Sequence, residues 1–398
     1  MSRTRTGNTV GQRHCRDFLV ACQTDNQHRS RSMSRPQRLS LIHKLQEARH
    51  SRVISYVTST RPNLEVQMAM DSIRRIYDHV AAIQRPKEEV KIDLFLHSNG
   101  GDGTVPWRLV TLIREYANRF TVLVPFHAFS AATLTALGAD AVVMHPMGML
   151  GPTDATVGNE FNPPDPRNPA RNIGISVEDV TAFIALIKEE AGIQHEDQLM
   201  EIIKVLADKV HPLALGNVKR SISQSRMMAR KLLSHHMDSV RDNHKIDELV
   251  DKLTSKLYYH GHPINRTEAK EEIGLGTVEL PSPVVEKLMW DLFLDYEEEM
   301  EMETPFDAGA EFLDSFPAQV AGTPNTTPPR IAKLAIIESM LRTDSSEMRY
   351  ELTGTKNPGG GTQVSLVKLS QRWTLDTTPP IAPPATPPTA PPATPATP

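Results

Sequence analysis

Between residues 52 and 144, short apolar runs alternate with stretches whose apolar side chains recur every three to four positions. The run Val53-Ile-Ser-Tyr-Val57 predicts a strand, closed by the turn-like Arg61-Pro62-Asn63. Residues 64–83 read as a helix with Met68, Ile73, Ile76 and Val80 near one face. A second strand over 92–96 runs into Ser98-Asn-Gly-Gly-Asp-Gly103, and a helix over 105–116 follows. A third strand over 121–125, a short helix of small residues and a fourth strand over 141–144 complete the pattern. Strands that alternate with helices imply parallel pairing in an α/β layer architecture.

Beyond a proline-rich loop at 162–169 the periodicity becomes helical, over 176–191, 196–209, 213–236, 246–259 and 284–300. Residues 301–376 mix turn signals with one helical stretch near 331–341 and predict little defined structure. The two ends differ from everything between them. Residues 1–38 are rich in Arg, Ser and Gln, which suits a disordered basic leader, an organellar transit peptide, or a start at Met33 rather than Met1. Residues 377–398 are Pro-, Ala- and Thr-rich and should be extended or disordered. The central block 39–300 is therefore the expected folded unit.

Composition narrows the function classes. The chain has 398 residues, a formal net charge of −4 and 39% hydrophobic residues, and ten of its 31 prolines lie in the last 22 positions. An acid-leaning balance argues against a dedicated nucleic-acid binder. Cys15 and Cys22 are too few for a disulfide scaffold or a multi-cysteine zinc module. The most apolar window, 120–144, is broken by Pro125, His127, Ser130 and Asp140, so it reads as core rather than a membrane span. With no secretory signal in view, a soluble cytoplasmic chain without cofactor or metal is expected.

Two segments could carry chemistry. The glycine turn after the second strand lacks the Gly-Lys-Ser/Thr of a phosphate loop, but paired glycines can bare backbone N–H groups toward a developing oxyanion. A plain strand-to-helix turn accounts for the same residues. Ser130, between Phe129 and Ala131-Ala132, sits at a strand-to-helix boundary, where a nucleophilic serine needs small neighbours. A helix-capping serine is the competing reading.

Taken together, the segments resemble the Clp/crotonase superfold, and most of all the serine dehydrogenase proteinase family, relatives of signal peptide peptidase A. The resemblance rests on Asp93-Leu-Phe-Leu-His-Ser-Asn-Gly-Gly101, on His127-Ala-Phe-Ser-Ala-Ala-Thr-Leu-Thr-Ala-Leu-Gly-Ala-Asp140 and on Val142-Val-Met-His-Pro-Met-Gly-Met-Leu-Gly-Pro-Thr-Asp154. The opening strand near Arg52 and the helical stretches around His211 and Arg266 are also similar. It implies an α/β fold with a core of repeated β-β-α units, a helical C-terminal extension and disordered ends. It also implies a serine peptidase acting on peptide or protein substrates, as a homo-oligomer. Ser130 would be the nucleophile, and the Gly100 and Gly101 amides the oxyanion donors.

The general base stays open. Clp-type peptidases place a histidine about 25 residues after the serine, where this chain has Thr153, Asp154 and Ala155. Relatives of signal peptide peptidase use a lysine kept neutral by burial. Lys188 is the first lysine after Ser130 and the preferred candidate, with Lys204, Lys209 and Asp154 as alternatives. Acyl-CoA chemistry on the same superfold, or a binding protein that has lost its base, are the rival functions. His235-His236 and His260-Gly-His262 read as polar helix ends rather than metal ligands.

Overall fold

The computed structural model describes residues 35–376 apart from 154–155, 158–159, 167 and 257–261. Both ends of the chain, 1–34 and 377–398, and with them most of the expected leader and all of the tail, lie outside the described residues.

Five strands form the parallel half of the main sheet: β1 (Arg52–Thr58), β2 (Lys91–His97), β3 (Arg119–Val124), β5 (Ala141–Met144) and β12 (Val278–Glu279), in the order β12-β5-β3-β2-β1. Helices α1 (Arg35–Arg49), α2 (Asp71–Ala81), α3 (Val105–Tyr116) and α4 (Ala131–Leu137) accompany them. Apart from the edge strand β12, each parallel strand is buried on both faces, which is why it reads as a continuous apolar run. Alternate residues serve two cores. Ile54, Tyr56, Leu94, Leu96, Val122 and Val142 pack beneath α2, α3 and α4. Val53, Val57, Phe95, Leu123 and Val143 pack on the other face against α1 and on α9 (Pro283–Glu299), which comes later in the chain. The sheet is thus sandwiched between helical layers, as an α/β architecture requires.

The chain also pairs away from this sheet after several strands. Met68 bridges Gly101, and Ser98 bridges Ala128. The two-residue strands β4 (His127–Ala128) and β6 (Met149–Leu150) pair in parallel, and β11 (Ile264–Asn265) adds to β6. Only the β3-β4-α4 unit has the expected β-β-α order with two strands; after β1 and β2 the second strand is reduced to single bridges. Residues 64–70, expected to be helical, run extended instead, because Met68 exchanges backbone bonds with Gly100 and Asp102 before α2 begins at Asp71.

Between β6 and β11 lie two small ladders, β7 (Thr156–Val157) with β10 (Ile175–Ser176) and β8 (Pro164–Asp165) with β9 (Asn168–Asn172). Helices follow: α5 (Val177–Ala185), which continues as a wider turn over Leu186–Glu190, then α6 (Glu196–Lys209), α7 (Pro212–Leu233) and α8 (Asn243–Asp251). No helix among the described residues is long and apolar enough to cross a membrane.

Residues 301–376 depart most from expectation. After α10 (Ala308–Ser315), strands β13 (Pro324–Thr326), β14 (Arg330–Glu338), β15 (Thr343–Lys356) and β16 (Thr362–Asp376) add an antiparallel half to the same sheet, with β14 paired to β1. The stretch near 331–341, expected as a helix, is mainly β14. Its Ala, Lys, Leu and Glu favour helix locally, but β1 and β15 bond it on both sides and bury Ile336 and Ile337 completely. The N-terminal boundary also moves. Arg38, expected in the leader, is buried in α1, where it donates to Glu338 at 2.5 Å and to Asp295 at 2.8 Å.

Candidate active site

The glycine turn leaves the C-terminal end of β2, and a buried serine organises it. Ser98 Oγ accepts hydrogen bonds from Thr58 Oγ1 at 2.8 Å and from the Gly100 amide at 3.1 Å. Its backbone joins β4: the Ser98 amide donates to His127 O at 2.9 Å, and Phe129 N donates to Ser98 O at 3.0 Å. The turn is therefore bonded directly to the strand that carries Ser130. Ser98 stands in the sequence beside Asn99-Gly100-Gly101, yet nothing in the pattern marks it as the organiser.

Gly100 has φ +97° and Gly101 φ +152°, where side chains are rarely accommodated. A Cβ on Gly100 would lie 2.7 Å from Phe129 O and 2.8 Å from Ser130 Cβ, and one on Gly101 would collide with the Met68 backbone. Gly100 is thus the close-approach residue that lets the turn touch Ser130. Gly100 O accepts from Met68 N at 2.7 Å. In a trans peptide the N–H points opposite to the preceding carbonyl, so the Gly101 N–H is directed away from Met68. The same position on Gly100 is 3.1 Å from Ala131 N. Neither the Gly101 nor the Ala131 amide donates to another described residue, whereas the Gly100 amide is taken by Ser98.

Ser130 precedes α4 with φ 51° and ψ −111°, a conformation that costs a non-glycine residue about 1–3 kcal/mol. Its side chain makes no capping hydrogen bond, which removes the reading of a helix-capping serine. The turn is held from below: Thr133 Oγ1 donates to Ala128 O at 2.7 Å and accepts from Gly151 N at 2.9 Å. Ala131 and Ala132 are buried beneath it, and larger side chains there would not fit that packing.

Two histidines flank the turn. His97 is fully buried; its Nδ1 accepts from the His127 amide at 3.2 Å, and its Nε2 lies 3.2 Å from Thr60 Oγ1. Burial, with the neighbouring His127 adding to it, lowers His97 to about 3. Burial likewise lowers His127 to about 4, and its Nδ1 is 3.1 Å from Asn99 Oδ1. Both rings are neutral near pH 7. His97 thus ties the end of β2 to β4, the strand before Ser130, a link that sequence reading missed.

The candidate bases are elsewhere or outside the description. Lys188 is exposed in the turn after α5. Lys204 is exposed and pairs with Glu201 at 2.6 Å, and Lys209 is exposed at the end of α6. Asp154 lies outside the described residues. The structure packs Ser130 against Gly100, the first glycine of the pair, and among the described residues forms no bond between Ser130 and any of these lysines. The paired histidines have other tasks: His236 Nε2 is 2.9 Å from Leu137 O, His235 stacks on Trp107, and His262 pairs with Glu268 at 2.6 Å.

Two uncharacterized proteins of Methanocaldococcus jannaschii are similar to this chain. One is 24% identical over 264 residues, covering 64% of this chain and 75% of its own length. The other is 25% identical over 237 residues, covering 59% and 71%. The family model of ClpP-like SDH-type serine proteinases matches residues 18–217, a span that contains β1 to α4, the glycine turn and Ser130; the chain belongs to that family.

Proposed function

We propose that the protein hydrolyses peptide bonds through an acyl-enzyme on Ser130. The observation that carries this reading is Ser130 itself: strained at φ 51°, uncapped, and packed against a glycine that tolerates no side chain. Ser130 Oγ attacks the substrate carbonyl, and the resulting oxyanion is held by the glycine turn. Gly101 and Ala131 donate to it, while Gly100, whose own amide serves Ser98, provides the close approach. This refines the expectation that both glycine amides donate. One such donor typically contributes about 2.7–4 kcal/mol of transition-state stabilisation.

Lys188 supplies the base in this reading, with Lys204, Lys209 and Asp154 as the alternatives. Its exposure in the single chain means that the segment around 177–190 must close over Ser130 when substrate or another copy is present. Association into a homo-oligomer is part of the reading, and α6 supports it: none of its residues is buried, and Met200, Ile203 and Val205 are exposed. A second reading, a binding protein of the same fold, is favoured by one observation, the absence of any bonded base beside Ser130 among the described residues.

A fluorophosphonate probe separates the two. Labelling of Ser130, with labelling at that position and peptidase activity both lost in Ser130→Ala, is the expected result. Lys188→Met should then lower the rate at least ~10²-fold, the lower end for a general base. Wild-type protein that shows neither labelling at Ser130 nor hydrolysis between pH 6 and 10 would leave binding as the function.

A further inference from the structure

A second serine outside this site has the surroundings of a nucleophile. Ser339 lies in the turn between β14 and β15, with its Oγ 2.8 Å from His79 Nδ1. His79 Nε2 lies 3.2 Å from Asp344 Oδ2 on β15, within ion-pair reach but not aligned for a hydrogen bond. His79 and Asp344 are fully buried side chains, and Ser339 is 6% exposed. Arg342 grips Asp344 with two hydrogen bonds, at 2.6 and 2.8 Å, and also faces Asp78 at 3.4 Å. Burial works to raise the Asp344 carboxyl, but the neighbouring His79 and the two bonds from Arg342 outweigh it and hold it below the ordinary carboxylate range.

A cavity of about 100 Å³ opens onto the pair, lined by Gln46, Arg52, Ile83, Met340 and Leu341 as well as His79 and Ser339. The Leu341 amide donates to Ser339 Oγ at 3.3 Å and helps to fix the hydroxyl. The cluster sits at the N-terminal end of β1, marked by Arg52, whereas the glycine turn and Ser130 follow the C-terminal ends of β2 and β3. The two serines occupy opposite ends of the parallel sheet.

We infer that Ser339, His79 and Asp344 form a second hydrolytic site, one for small acyl esters. A serine, a histidine and a carboxylate in this order are recognised by geometry and roles, not by position in the chain. Ser339 Oγ bonds to the acyl carbon while its proton passes to His79 Nδ1. The ester C–O bond breaks, and the leaving alkoxide takes that proton from His79. Water then adds to the acyl-serine with His79 again taking and returning a proton, which releases the acid and restores Ser339. Asp344, fixed by Arg342, stays ionised and stabilises the imidazolium. A cavity of about 100 Å³ is well below the roughly 300 Å³ or more of a usual ligand pocket, so it suits an acetyl-sized group.

The test uses the full-length Ser130→Ala protein, so its outcome is independent of the peptidase reading. Diisopropyl fluorophosphate should give an adduct on Ser339, located by peptide mass spectrometry, and the protein should hydrolyse p-nitrophenyl acetate. Ser339→Ala should abolish both, and His79→Gln should slow them at least ~10²-fold. Where His79→Gln does not fold, Ser339→Cys decides: at pH 6 iodoacetamide should alkylate it at least about tenfold faster than an unfolded cysteine peptide, because a histidine partner favours the thiolate. No adduct on Ser339 in folded protein, or no acceleration in Ser339→Cys, overturns the inference.

Discussion

At Ser130 the backbone is held where glycine would be at ease and serine is not. Its φ of 51° is maintained by Thr133, Gly151 and the Ser98 bridge, so the strain is imposed by surrounding packing. That makes the position separable into chemistry and stability. Ser130→Ala removes the hydroxyl and keeps the strain, whereas Ser130→Gly removes both. Strain of about 1–3 kcal/mol, less about 0.5–1 kcal/mol for the glycine's extra chain entropy, leaves Ser130→Gly more stable than Ser130→Ala by about 1 kcal/mol. The urea midpoints of the two variants measure this directly. Equal midpoints would mean that the turn relaxes once the hydroxyl is gone.

At the scale of elements, the antiparallel strands 324–376 complete the sheet. β14 covers the open edge of β1 and buries Ile336 and Ile337, each of which contributes about 1.5–3 kcal/mol of burial. Glu338 at the end of β14 also takes Arg38 and the Tyr296 hydroxyl, the latter at 2.9 Å. Breaking a buried ion pair costs about 3–5 kcal/mol, so the losses together approach the whole stability of a domain, about 5–15 kcal/mol. A chain ending at Thr323 is therefore expected to lose cooperative thermal unfolding, as read by circular dichroism. A cooperative melt within about 5 °C of wild type would show instead that the parallel half stands alone.

For the whole molecule, stability against pH follows from groups of opposite sense. Native His97 and His127 have lowered values, about 3 and 4, against about 6.5 in the unfolded chain. Their contribution is complete above that unfolded value and is lost as pH falls through their native ones. Asp295 has the opposite sign. Burial raises it to about 6 despite Arg38, so its contribution is complete at low pH and is lost as pH rises through about 6. Melting temperature should therefore rise with pH up to about 6.5, two histidines outweighing one carboxyl, and level off above it. Asp295→Asn, an uncharged mimic of the acid, should gain on wild type as pH rises from about 4 to 6 and keep a constant advantage above that. A difference that does not change with pH would place the cost of Asp295 in packing rather than ionisation.

The sequence by itself determined the parallel α/β core, because strands buried on both faces leave continuous apolar runs that no other element explains. It also singled out Ser130 and the glycine pair, since small residues at strand-to-helix boundaries are a local property of the chain. Tertiary structure alone decided three things. β14 is a strand because β1 and β15 bond it on both sides, against the local preference of its residues. Gly101 rather than Gly100 has the amide free, because Ser98 folds back to occupy the other. Ser339, His79 and Asp344, scattered along 266 positions from His79 to Asp344, meet only when the hairpin docks on α2, and no spacing in a linear chain reports such a meeting.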